Sequence, residues 1–171
     1  MRFFSFFTVL TNILAAIMLT AQASDRSGFS KPGTITAITV YITIVGAVYQ
    51  ILLRHIWHPT GLQMIVDELL HSVNPLLVIF YWCLFERKGL VNYTQISGWL
   101  IYPLVYLLFI LARGSFSGFY PYPFINVTEI GLAKALINSL LLLLVFSAIS
   151  LLFIFAGKLI SKQMQRNAVT N

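Results

Sequence analysis

Four stretches of this sequence run for more than twenty residues without a single Asp, Glu, Lys or Arg: residues 3–24, 32–53, 89–112 and 135–157. A fifth, roughly residues 62–85, is as apolar but carries Asp67, Glu68 and His71. At about 1.5 Å of rise per residue, a helix of this length crosses a hydrocarbon layer of about 30 Å. Lipid offers no partners to backbone N–H and C=O groups, so a spanning segment must satisfy its own, and among open-ended elements only the helix does. Composition agrees: 58% of the residues are hydrophobic and 9% are charged, against about 25% charged in soluble domains. The sequence predicts an all-α polytopic transmembrane bundle, one domain over residues 1–171, with five spans at about 3–24, 32–53, 62–85, 94–112 and 132–157.

The first span has a rival reading. Arg2, an apolar stretch and Ala21-Gln22-Ala23 resemble a signal peptide with its cleavage site. The stretch is longer than the usual signal core and is interrupted by Ser5, Thr8, Thr11 and Asn12, so a retained helix is expected. The eleven Lys and Arg stand singly at the ends of apolar runs, the pattern of topology-setting charges. They form no basic face for nucleic acid. With five spans, Arg2, Arg54, Arg113 and Lys134 fall on one side. Arg26, Lys31, Arg87, Lys88, Lys158, Lys162 and Arg166 fall on the other, which the excess marks as cytoplasmic. The one cysteine, Cys83, lies within an apolar run, so neither an intrachain disulfide nor a zinc pattern arises.

Polar side chains within a span are costly and need partners or a task. Five alternating helices put several at one level. Thr8 lies about 10 Å into the first helix, and His71 about 14 Å into the third from the same side. Asp67 and Glu68 precede His71 by four and three residues, which brings both near its face. Asn138 enters about 10 Å down the last helix, and Tyr106 lies near the matching end of the fourth. Asn12 is close by, and the loop with Tyr120 and Tyr122 caps them. A polar pocket in one half of the bundle is therefore expected.

Each member has a plain structural reading beside the functional one. Membrane threonines commonly bond back to the carbonyl four residues earlier. Asn12 and Asn138 can bridge helices, Asp67 and Glu68 can pair with Arg54, and tyrosines near span ends form interfacial belts. His71, deep and beside two carboxylates, is harder to dismiss. His55 and His58 form an H-x-x-H pair before Pro59, but no Cys, Met or second buried His completes a ligand set, so no metal site is expected.

Four segments resemble a known family: Phe6-Phe7-Thr8-Val9-Leu10-Thr11-Asn12, Arg54-His55-Ile56-Trp57-His58-Pro59-Thr60-Gly61, Leu69-Leu70-His71-Ser72-Val73-Asn74-Pro75 and Gly118-Phe119-Tyr120-Pro121-Tyr122-Pro123-Phe124. Together they resemble the androgen-induced-protein family of membrane hydrolases, whose animal members cleave fatty acid esters of hydroxy fatty acids. The chain looks most like its short bacterial branch, which implies a bacterial cytoplasmic membrane. The resemblance implies a nucleophilic threonine at Thr8 and a catalytic histidine at His71.

The chemistry then expected is a threonine esterase acting on lipid esters. A threonine hydroxyl is a poor nucleophile unless a neighbouring base takes its proton. His71 would be that base, with Asp67 or Glu68 holding its tautomer. Asn12, Asn74 or a loop tyrosine would supply the oxyanion donor, and no cofactor is needed. Two rivals remain: a non-enzymatic regulator or partner-binding protein whose polar groups only fix packing, and a proton relay or transporter through Asp67, Glu68 and His71. The lack of an internal repeat weighs against the transporter.

Overall fold

A computed structural model describes residues 2–24 and 31–170; Arg26 of the charge count and Asp25 lie outside the described residues. The described residues form helices and turns, with no strand among them. We label the main elements α1 (Phe7–Ala23), α2 (Thr34–Leu53), α3 (Leu62–Phe85), α4 (Tyr93–Ser117) and α5 (Leu132–Thr170). The last four are long and apolar enough to cross a membrane, and α1 is a shorter apolar helix.

The bundle is built around α2. Two-thirds (67%) of its most apolar window is buried, against 17%, 17% and 22% for α3, α4 and α5. It packs against α1, α3 and α5 together. Its sequence, rich in Thr, Ile and Val, is a poor helix former in water because β-branched side chains lose χ1 freedom. In lipid the backbone has no alternative partner, and the helix forms regardless. The outer helices turn large apolar side chains outward, with Leu62, Leu76, Phe80, Leu108 and Phe116 all more than half exposed. Several hydroxyls point inward. Thr39, Ser139 and Ser150 are buried and bond to the carbonyl four residues back at 2.6–2.7 Å. An apolar exterior over a core holding satisfied polar groups is the distribution a lipid-facing bundle requires. The chain is a membrane protein by this architecture.

Three boundaries differ from the sequence reading. The first apolar run is broken: Phe3–Ser5 forms a 3-10 turn, Phe6 is extended (φ −87°, ψ 125°), and α1 starts at Phe7. Thr8 is therefore the second residue of its helix, where the sequence had put it well inside. Helix α4 continues past residue 112 to Ser117, because Arg113 and the small residues after it still fit a helix. Helix α5 runs unbroken to Thr170, about 58 Å at 1.5 Å per residue. Charge at Lys158 ends the apolar window but not the helix.

A π-turn, Tyr49–Leu53, ends α2, and another, Leu69–Val73, interrupts α3. In α3 the cause is legible. Asn74 N–H reaches back five residues to Leu69 C=O. In that register the Leu70 carbonyl would face the amide of residue 75, which is Pro75 and has none. Asn12 Nδ2 donates to this carbonyl instead, at 3.3 Å. Gly46 of α2 lies against the same turn: a Cβ there would stand 3.0 Å from the His71 carbonyl oxygen.

Candidate active site

Helix α1 enters the bundle with its N-terminus beside the π-turns of α2 and α3. Thr8 Oγ1 lies 3.2 Å from His71 Nε2. The other ring nitrogen, Nδ1, faces only acceptors: the Asp67 carbonyl oxygen at 2.9 Å and Asp67 Oδ1 at 3.3 Å. In a neutral imidazole one nitrogen carries the proton and the other accepts. The two acceptors fix that proton on Nδ1, so Nε2 is bare and accepts the Thr8 O–H. Tyr49, from the π-turn of α2, stacks on the imidazole with ring centres 4.1 Å apart and planes 17° apart. The ring is held on one face and at both nitrogens. Asp67 Oδ2 is buried and has no hydrogen-bond partner among the described residues.

Thr8, like Thr11 and Thr36, is not among the helical hydroxyls that bond back along their own helix. Thr39, Thr43, Ser139, Ser147 and Ser150 all bond to the carbonyl four residues back. Thr8 instead turns its hydroxyl across to another helix. Its own carbonyl accepts from Asn12 Nδ2 at 2.9 Å, and Asn74 Nδ2 donates to Asn12 Oδ1 at 2.8 Å. Asn12 thus bridges α1 to α3 with both amide protons committed.

A cleft borders Thr8 between α1, α2, α4 and α5, and the His71 side chain is not among its walls. Thr8, Tyr106 and Tyr122 line one part of it, and Ile44, Val48, Leu107, Leu143 and Phe146 make much of the remainder apolar. Tyr122 is buried, and its hydroxyl accepts from Phe7 N–H at 3.0 Å. Its side chain lines the cleft together with those of Thr8 and Tyr106. Burial pushes the Tyr122 phenol above its ordinary value, so it remains a neutral donor.

The single polar pocket expected from the sequence is therefore two features meeting at Thr8: an apolar cleft and a polar seam. His71, Asp67, Asn12 and Asn74 belong to the seam and do not line the cleft. Tyr106 donates to the Ser5 carbonyl at 2.7 Å. Asn138 donates to the Phe124 carbonyl at 2.8 Å and so ties down the loop bearing Tyr122. Tyr120 lies outside the cleft, packed so closely on α4 that any Cβ at Gly114 would overlap its ring. Glu68 does not serve His71. It faces outward, accepts from Ser72 at 2.6 Å and pairs with Arg54 at 2.5 Å, because one residue of helix turns it about 100° from Asp67. His55 and His58 are exposed, beyond the end of α2. The sequence reading missed Tyr49, which looks like an ordinary interfacial tyrosine until its stacking on His71 is seen.

Compared with models of protein families, with curated proteins and with solved structures, the chain matches none.

Proposed function

We propose that the protein is an intramembrane esterase in which Thr8 is the nucleophile, His71 the general base and Asp67 the residue that holds the imidazole. One observation carries this reading. A threonine hydroxyl at the edge of an apolar cleft is hydrogen-bonded to the bare nitrogen of a histidine whose other nitrogen is locked. Such a nucleophile–base–orienter arrangement is what activates a hydroxyl for acyl transfer.

In the reaction Thr8 Oγ bonds to the ester carbonyl carbon and its proton passes to His71 Nε2. The carbonyl π pair moves to oxygen. When the double bond re-forms, the C–O bond to the alcohol breaks, and the alkoxide takes the proton from Nε2. Water, deprotonated by the same nitrogen, then attacks the acyl-threonine carbon; the C–Oγ bond breaks as the double bond re-forms, Thr8 Oγ takes the proton back from Nε2, and the fatty acid leaves. The cleft's apolar lining suits the acyl chain of a lipid ester entering from the bilayer. Fatty acid esters of hydroxy fatty acids are the substrate class implied by the family resemblance, which we carry forward as part of this proposal. We place the protein in a bacterial cytoplasmic membrane on the same ground.

The test uses the full chain purified in detergent. A long-chain alkyl fluorophosphonate should label it, and p-nitrophenyl laurate should be hydrolysed. Thr8→Ala and His71→Ala should each reduce both by at least about 10³-fold, since nucleophile and base act as a unit. Labelling and hydrolysis that survive in both variants would sink the reading and favour a non-enzymatic regulator.

A further inference from the structure

We infer that the Tyr122 hydroxyl is the donor that stabilises the oxyanion formed when Thr8 attacks an ester, a step that rests on the esterase reading above. An oxyanion donor must stand beside the nucleophile, on the substrate side, with a proton not already given to a carbonyl. The residues near Thr8 divide sharply on that criterion. Asn12 gives its two amide protons to the Thr8 and Leu70 carbonyls. Asn74 donates to Asn12 and lies on the seam, away from the cleft. Tyr106 lines the cleft but spends its proton on the Ser5 carbonyl.

Tyr122 meets all three conditions. Its oxygen accepts the Phe7 amide proton, so its own proton is directed away from that amide, and the side chain shares the cleft with Thr8. As Thr8 Oγ bonds to the ester carbon, the phenol proton is placed to meet the carbonyl oxygen one bond away. Tyr122 keeps its proton throughout and shares it with the oxyanion, while the Thr8 proton goes to His71.

The hydroxyl is also held in advance, which is where such donors gain their effect. Pro123 after it favours the extended backbone that Tyr122 adopts (φ −133°, ψ 137°). Its ring stacks on Phe124 with centres 5.2 Å apart and planes 4° apart, and Phe6 meets it edge-on at 6.2 Å. Asn138 anchors the Phe124 carbonyl behind it. The Phe7 amide, at the free N-terminal end of α1, pins the oxygen itself.

The test measures p-nitrophenyl laurate hydrolysis by the full chain in detergent, and inhibition by the unreactive dodecyl ether of p-nitrophenol. Removing one oxyanion donor costs about 10²–10³ in kcat. Tyr122→Phe should show that loss with KM and ether inhibition unchanged, because the cleft keeps its shape. Replacing Tyr122 with a series of fluorinated tyrosines preserves the fold and varies only phenol acidity, so kcat should change in step with acidity. A kcat within about threefold of the native value in Tyr122→Phe, or one that ignores acidity across the series, overturns the assignment. If Thr8→Ala is still inactive in that case, the esterase reading stands without it. A native chain that neither labels nor turns over overturns both.

Discussion

Each end of the bundle buries a carboxylate, and the two are treated in opposite ways. At the end where α2 begins, Glu86 is only 7% exposed and every approach to it is a donor. Oε1 accepts from Gly33 N–H at 3.3 Å and Arg87 N–H at 2.9 Å; Oε2 accepts from Thr36 N–H at 2.9 Å and Thr36 Oγ1 at 2.8 Å. Trp82 Nε1 donates to Thr36 Oγ1 in turn, at 2.9 Å. A negative group on the N-terminal amides of the central helix is favourable both as a cap and for the helix dipole. At the other end Asp67 has one oxygen on a histidine and the other without a partner, and the histidine leads to a hydroxyl bordering a cleft. Full satisfaction builds a fold. A network left partly unsatisfied, behind a hydroxyl that borders a cleft, is the arrangement the proposed chemistry would draw on.

The sharpest way to break this comparison is to remove Glu86. Glu86→Ala leaves the amides of Gly33, Thr36 and Arg87 without their acceptor, and a buried donor left unpaired costs about 1–3 kcal/mol each. Thermal unfolding in detergent should show severe destabilisation, whereas the protein that remains folded should keep its hydrolytic rate. Thr8→Ala should do the reverse, with melting close to native and activity gone. A Glu86→Ala protein as stable as native would mean that the carboxylate is not what holds this end.

Asp67→Asn comes next. Loss of an orienting carboxylate by Asp-to-Asn replacement can cost about 10⁴ when it leaves the wrong tautomer. Here the Asp67 backbone carbonyl, at 2.9 Å, also accepts from Nδ1 and is closer than Oδ1 at 3.3 Å. The carbonyl survives the substitution, so the expected loss in kcat is smaller, about 10- to 100-fold, with KM unchanged. A loss approaching that after Thr8→Ala would mean that the carboxylate alone sets the tautomer.

How much of this was legible beforehand follows from helix geometry. Rise per residue is fixed, so counting along the chain brought Thr8, His71 and Asn138 to one end of the bundle. Azimuth was not readable. In a soluble helix the polar face reports which side is buried, but α3 is apolar around most of its circumference, and lipid-facing and core-facing positions look alike. That is why Asp67 and Glu68 remained alternatives in the sequence, and why one pocket was expected where a seam and a cleft occur. The break at Phe6 and the π-turns were also hidden. Pro75 was the visible clue, since its missing amide orphans the Leu70 carbonyl that Asn12 then fills. Glu86 carries no signal in the sequence because, beside Arg87 and Lys88 at a span end, it reads as an ordinary interfacial charge.

Asn12 tests that seam at smaller amplitude. Asn12→Ala removes the donor to Leu70 and Thr8 and the acceptor for Asn74. Interhelical polar contacts in membranes are worth about 0.6–2 kcal/mol, so a modest fall in stability is expected by thermal unfolding. The rate should fall with it, because the link that sets Thr8 against α3 is loosened and a displacement of about 1 Å can cost 10². Unchanged kcat in a destabilised Asn12→Ala protein would separate the bridge from the site.

Glu68 should matter least, and that is informative because it neighbours Asp67. Its carboxylate joins Arg54 and Ser72, and Arg54 and Ser72 in turn bond to Gln50 at 2.8 and 2.9 Å. This network ties the end of α2 to α3 on the outer face. Arg54 and Glu68 side chains are 47% and 39% exposed, and exposed ion pairs contribute little because solvent screens them and ordering two long side chains has an entropic cost. Ser72 keeps its bond to Gln50 when Glu68 is replaced by Gln. Glu68→Gln should therefore leave kcat within about threefold, far from the effect expected of Asp67→Asn. Adding salt should change the native rate as little, since the pair that matters, Asp67 with His71, is shielded from solvent at 11% and 12% side-chain exposure. A Glu68→Gln loss equal to that of Asp67→Asn would show the histidine is oriented through the outer network, with Ser72 and the π-turn as the route.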